Sequence, residues 1–225
     1  MHEASEQGGA QCPGVVLLHG IARTSASLKR FERALQATGF ATLNIDYASR
    51  SKPIAALADD IHPEVARFAE RDAPLHFVAH SMGGLVARAY IAKYRPPRLA
   101  GVVMLGTPNG GSEVADLLRG TWLYRSVYGP AGLELTTATR TNTRLALDYP
   151  VGVIAGNRFI DPVAGFFVLP KPNDGRVSVQ STMLTGMADH VVVKASHTGL
   201  PRHAVAIAQT IAFLRDGRFR SVPIT

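Results

Sequence analysis

Short apolar runs recur along the chain, each bounded by glycine, proline or polar residues. They are Val15–Leu18, Ala41–Ile45, Leu75–Ala79, Leu99–Leu105, Val151–Ala155 and Val191–Lys194. Such runs suit strands covered on both faces, the condition of a parallel sheet. Between them the apolar period becomes helical. Ser27 to Ala37 follow Thr24 and Ser25, either of which can cap a first turn. Ile54, Leu57, Ile61, Val65 and Phe68 share one helical face, which Pro63 is expected to kink or split near His62. Gly84 to Tyr94 forms a further helix, stopped by Pro96 and Pro97. Leu200, Ala204, Ile207, Ala208, Ile211 and Leu214 make a last stripe, closed by Gly217.

Strand alternating with helix predicts an α/β fold, with a mostly parallel central sheet of about six strands and helices on both faces. No internal repeat or low-complexity linker divides the chain. Residues 14–225 therefore read as one domain behind a flexible polar lead, residues 1–13. Two stretches break the rhythm. Residues 110–149 carry Trp122, Tyr124 and Tyr128, and residues 159–170 carry Phe166 and Phe167. Both follow expected strand ends, where ligands bind in open α/β sheets. They read equally as core helices or packed loop and as a pocket lining or small cap. In the second case Trp122, Tyr124, Phe166 and Phe167 are the candidate substrate contacts.

Composition narrows the partners. No run approaches the roughly 18 apolar residues that span a bilayer. The formal net charge is +7, yet the arginines and lysines are scattered, without the aromatic interleaving that binds nucleic-acid strands. A basic solvated surface is expected, able to strengthen peripheral contact with anionic lipid, and no nucleic-acid partner. Cys12, the single cysteine, excludes an internal disulfide. It precedes Pro13 with no histidine nearby, a poor setting for a reactive thiol. The first fourteen residues show no secretory pattern, so the cytoplasm is the default, with a secreted or periplasmic location open if a leader has been trimmed. The histidines are dispersed and no His-Glu-x-x-His or cysteine pair occurs, so no metal is expected. No G-x-G-x-x-G follows the first strand, so no nucleotide cofactor is expected either.

The chemistry concentrates in Leu75–Tyr90, LHFVAHSMGGLVARAY. An apolar strand runs into His80-Ser81-Met82-Gly83-Gly84 and a helix leaves at once. Such a turn exposes its serine above the sheet edge and needs small residues two before and two after it, here Ala79 and Gly83. The segment resembles the nucleophile elbow of the lipases and esterases of the α/β-hydrolase superfamily. Its A-x-S-x-G stands for the commoner G-x-S-x-G, as in small bacterial lipases that carry A-H-S-M-G-G. Val15–Ile21, VVLLHGI, is similar to the loop that supplies one oxyanion-hole amide in those enzymes, and L-G-T-P-x-x-G-S at Leu105–Ser112 recurs among them. Ser112 lacks the strand-turn-helix setting and reads as a turn or cap residue.

The resemblance implies an α/β-hydrolase fold with a small or absent lid, Ser81 as nucleophile, and the backbone amides of Ile21 and Met82 as oxyanion donors. It also implies a chain order of serine, acid, histidine. His2, His19, His62 and His76 precede the serine, His80 is beside it on the strained turn, and His19 reads as a structural hydrogen-bonding residue. His190 lies at the wrong end of the last strand and His203 falls in the terminal helix. His197, in the loop after that strand, is the expected base. Asp174, in Asn173-Asp174-Gly175-Arg176-Val177, is the favoured acid, with Asp161 the rival; Asp148 and Asp189 precede strands. N-D-G is also strong turn chemistry in any protein. The expected function is hydrolysis of small-molecule or lipid carboxylic esters, of moderate acyl length, through an acyl-enzyme. An acyltransferase or thioesterase would use the same residues, and a non-catalytic binding protein on this fold would usually lack one of them.

Overall fold

All six apolar runs are strands of one parallel sheet in the computed structural model, which describes residues 11–111, 130–132, 147–159 and 169–221. They are β1 (Gly14–Leu18), β2 (Ala41–Ile45), β3 (Leu75–His80), β4 (Leu99–Leu105), β5 (Val151–Gly156) and β6 (Asp189–Val193), in the order β2-β1-β3-β4-β5-β6. Asp189 and His190 open β6 itself. The expected cap or pocket-lining stretches, with Trp122, Tyr124, Phe166 and Phe167, lie outside the described residues.

Successive strand residues point to opposite faces, and the core divides accordingly. Val16, Leu18, Phe77, Ala79, Val102 and Met104 pack with α2 (Ile54–Asp60), α3 (His62–Ala69) and α4 (Met82–Tyr94). Val15, Leu17, Val78, Val103 and Leu105 pack on the other face with α1 (Lys29–Ala37) and the terminal helix. Both faces are covered, which explains the near-absence of polar alternation in β1, β3 and β4. Each fully buried Leu, Val or Phe contributes about 1.5–3 kcal/mol through burial.

Local chemistry sets the helix limits. Pro63 splits the predicted helix at Ile61 and then stands in the first turn of α3, where a missing N–H leaves no bond unmade. A 3-10 turn, Ser25–Leu28, precedes α1, so the helix expected from Ser27 begins at Lys29. Neither expected cap forms: Thr24 makes no side-chain cap bond, and Ser25 Oγ is drawn to the Asp46 carboxylate at 3.1 Å. A four-residue helix, α5 (Val179–Thr182), is too short to show a period and has its Ser178 cap accepting from the Ser181 amide at 3.1 Å. The last helix, α6 (Ala204–Asp216), has His203 as its N-cap, outside the helix where sequence had placed it, and ends at Gly217 in the left-handed region. Among the described residues no helix is long and apolar enough to cross a membrane.

The strand order places the site. From β1 the chain moves outward to β2, then crosses back to β3 on the other side of β1. Loops leaving β1 and β3 therefore diverge, opening a crevice at their carboxyl ends, the usual ligand position in such sheets.

Candidate active site

Ser81 stands at that crevice, at the junction of β3 and α4. Its φ of 55° and ψ of −127° are a strained combination for a residue with a side chain, a state that costs about 1–3 kcal/mol and persists only where the surroundings impose it. The Ser81 amide donates to Leu105 O at 2.8 Å, and Ser81 O accepts from Gly84 N and from Thr107 Oγ1, each at 3.0 Å. Thr107 belongs to the L-G-T-P turn, so the strand after the elbow braces the elbow. Helix α4 begins at Met82, two residues before sequence placed it, and its positive end lies beside the serine.

His197 and Asp174 complete a row with Ser81. His197 Nε2 accepts from Ser81 Oγ at 2.9 Å, and Nδ1 donates to Asp174 Oδ2 at 2.8 Å. All three are buried, at 7%, 6% and 2% exposure in the order Ser81, His197, Asp174. The other oxygen of Asp174 accepts from Arg176 N at 3.0 Å and Val177 N at 2.8 Å. The N-D-G turn and the histidine contact are thus not alternatives: one carboxylate oxygen closes the turn and the other meets the imidazole. The His197 amide donates back to Asp174 O at 2.9 Å, which ties the two loops through main chain as well.

Small residues at strand ends make room for this pair. A Cβ on Gly106, just after β4, would stand 3.1 Å from Asp174 Oδ2 and 3.3 Å from His197 Nδ1. One on Gly156, at the end of β5, would come within 2.9 Å of Asp174 Cβ and 2.4 Å of Ala195 O. A glycine directly after a predicted strand was the available sequence signal for both positions.

The β1 loop reaches the serine from the other side. A Cβ on Gly20 would lie 3.1 Å from Ser81 Cβ. Ile21 follows it, half-buried, and Met82 is fully buried at the start of α4. Among the described residues neither the Ile21 nor the Met82 amide donates a hydrogen bond. His19 is fully buried; its Nδ1 donates to Gly20 O at 2.9 Å while Nε2 accepts from Tyr47 N at 3.4 Å. Burial lowers its pKa, against the opposing pull of the Gly20 carbonyl and of Asp46, which lies 3.5 Å from Nε2. His80, beside the serine on the elbow, donates through Nε2 to His197 O at 3.0 Å. Burial, then the neighbouring His197, holds its pKa well below the ordinary histidine value.

Asp161 and Ser112 lie outside the described residues. Cys12 is exposed. Among the described residues no group of three or more His, Cys, Asp or Glu side chains is arranged to hold a metal ion. An imidazole hydrogen-bonded to a hydroxyl on one edge and a carboxylate on the other can take the hydroxyl proton as the oxygen forms a new bond.

The model of the α/β-hydrolase fold family matches residues 13–128, just over half of the chain. The mature lipase BlEst2 of Bacillus licheniformis is similar in structure at 21% identity, covering 91% of each chain, with a TM-score of 0.72. A metagenomic carboxyl esterase, MGS0156, is similar at 20% identity over 92% of this chain and 76% of its own, with a TM-score of 0.74. The RedJ thioesterase of prodiginine biosynthesis in Streptomyces coelicolor is similar at 14% identity over 92% of this chain and 86% of its own, with a TM-score of 0.60.

Proposed function

The chain belongs to the α/β-hydrolase fold family, and from that premise we propose that it is a serine hydrolase of carboxylic esters, of the esterase or lipase kind. The row Ser81–His197–Asp174, with contacts of 2.9 and 2.8 Å, carries the reading. Ser81 Oγ attacks the ester carbonyl as its proton passes to His197 Nε2, and the carbonyl π electrons move onto oxygen. The amides of Ile21 and Met82 hold that oxyanion; such a donor is worth about 3–4 kcal/mol in the transition state. Asp174 keeps the imidazole in the Nδ1–H tautomer and stabilises its cation. The tetrahedral centre collapses, the C–O bond to the alcohol breaks, and His197 returns the proton to the leaving oxygen. Water, deprotonated by the same histidine, then attacks the acyl-enzyme and frees Ser81 and the acid.

The similarity to a lipase and a carboxyl esterase supports an oxygen ester as substrate. One structural relative is a thioesterase, so a thioester belongs in the test beside it. Hydrolysis of p-nitrophenyl esters of graded chain length, and of matched acyl thioesters, is measured for the wild type and for Ser81→Ala. Turnover that disappears in Ser81→Ala supports the assignment, and the chain-length profile ranks the acyl groups. Full activity in Ser81→Ala overturns it.

A further inference from the structure

The loop after β1 carries Ile21, and nearly every polar contact it makes runs to one short segment, Asp46–Ser49, which follows β2. The Tyr47 hydroxyl donates to His19 O. The Tyr47 ring stacks on His19 at 4.2 Å between centroids and 11° between planes. Ala22 N donates to Ser49 Oγ at 3.1 Å, and Ser49 is buried. Beyond it, Ser25 N and Oγ donate to the two Asp46 oxygens at 2.8 and 3.1 Å.

Two of these contacts bracket the Gly20-Ile21 peptide. Tyr47 holds the carbonyl of His19, the residue before Gly20, and Ser49 holds the amide of Ala22, the residue after Ile21. Ala22 has φ of +55° with no glycine to ease it, and a left-handed alanine tends to relax unless something holds it. Burial pushes the Tyr47 phenol above its ordinary pKa, so it stays a donor at every working pH. On the third side His19 O sits 2.6 Å from where a Cβ on Gly83 would lie, so the elbow helix closes the loop from beneath.

The geometry points to Tyr47 and Ser49 as positioning residues that set the Ile21 amide before substrate arrives. The inference rests on the reading of Ile21 as an oxyanion donor. Neither side chain touches the reacting atoms. Each acts through the peptide it holds, and a donor aimed in advance needs no reorganisation as charge develops.

Tyr47→Phe keeps the ring stacking and removes one bond; Ser49→Ala removes the other; Ser49→Thr keeps a hydroxyl and serves as the rescue. Each loss variant is expected to lower kcat by about tenfold with little change in KM, since a small misplacement of a transition-state donor erodes kcat first. The inhibition constant for an alkylboronic acid, which forms a tetrahedral adduct on serine, should rise in step with the loss of kcat/KM. The pH profile should not move, because His197 is untouched, and Ser49→Thr should recover most of the activity. A Tm lowered in both loss variants with kcat and boronate affinity unchanged overturns the inference, as does full activity in both. An inactive wild type, or an active Ser81→Ala, sinks the esterase reading and this inference with it. An active wild type indifferent to both loss variants sinks this inference alone.

Discussion

His80 Nε2 donates to the main-chain carbonyl of His197 at 3.0 Å, so the residue before Ser81 holds the residue whose ring faces Ser81. With the His197 amide bound to Asp174 O at 2.9 Å, both main-chain polar groups of His197 are anchored. The imidazole then has only its side-chain torsions left to vary. Donation through Nε2 leaves His80 Nδ1 as a bare acceptor, and that atom has no partner among the described residues.

Replacing His80 by leucine should free the His197 carbonyl and lower kcat by about tenfold, the effect of one net hydrogen bond of ~1–1.5 kcal/mol. Gln places a donor near the Nε2 position and should restore part of the loss. Equal kcat in wild type and His80→Leu at unchanged Tm would show that this anchor does not matter to turnover.

Asp174 uses both oxygens, and Asn can mimic only part of that pattern. Asp174→Asn can still accept from the Arg176 and Val177 amides through its single oxygen, but its amide group then faces His197 Nδ1 and favours the wrong tautomer. A fall in kcat of about 10³–10⁴ is expected, with the fold retained. Asp161→Asn, assayed beside it, should stay near wild type. The reverse ranking would move the acid to Asp161.

Strand positions, helix faces and the elbow were legible because each leaves a local mark. The apolar runs of β1, β3 and β4 are short, bounded by glycine, proline or polar residues and separated by helical periods, which suits covered strands. A-H-S-M-G-G at a strand end suits a strand-turn-helix junction. The approach of His197 to the Ser81 hydroxyl was legible from its place after the last strand. What escaped was long-range: His80 reaches across 117 positions to His197, and Thr107 reaches back 26 to Ser81. No period or spacing marks such pairs. Helix ends slipped for a different reason. Ser25 is a good cap in isolation, but the Asp46 carboxylate, 21 residues away, is its stronger partner. The N-D-G string suits a turn or an acid by sequence, and the carboxylate has two oxygens, one closing the turn and one meeting His197.

His76 on β3 is buried, and burial pushes its pKa down to about 4 from 6.5. Below pH 6.5 the unfolded chain takes up a proton that the folded chain refuses, so stability falls as pH drops from about 6.5 to about 4 and levels off below that. The ceiling for this residue is ~3 kcal/mol. His19, His80 and His190 are shifted the same way, so the whole protein should lose more. Urea unfolding at pH 7.5 and pH 4.5 should show a smaller difference for His76→Gln than for wild type. An identical pH difference in the two proteins would remove His76 as a contributor.

Two glycines separate the effects of space and of backbone conformation. A Cβ on Gly83 would stand 2.5 Å from Leu18 O and 2.6 Å from His19 O. Both are main-chain atoms, the first at the end of β1, and neither can rotate aside. Gly39 is the converse: it has φ of +90° and nothing within 4 Å of its would-be Cβ. Gly39→Ala should therefore cost about 1 kcal/mol from conformation alone. Gly83→Ala must push α4 away from the β1 loop, and overpacking of that kind costs about 1–3 kcal/mol, more where backbone is the obstacle. The displacement also moves Met82 relative to Ile21, so Gly83→Ala should lose activity well beyond its loss of stability. Measured by urea unfolding and ester turnover at 25 °C, Gly39→Ala should keep kcat while Gly83→Ala does not. A Gly83→Ala enzyme with wild-type kcat would mean that the spacing between the elbow helix and the β1 loop is not what sets the rate.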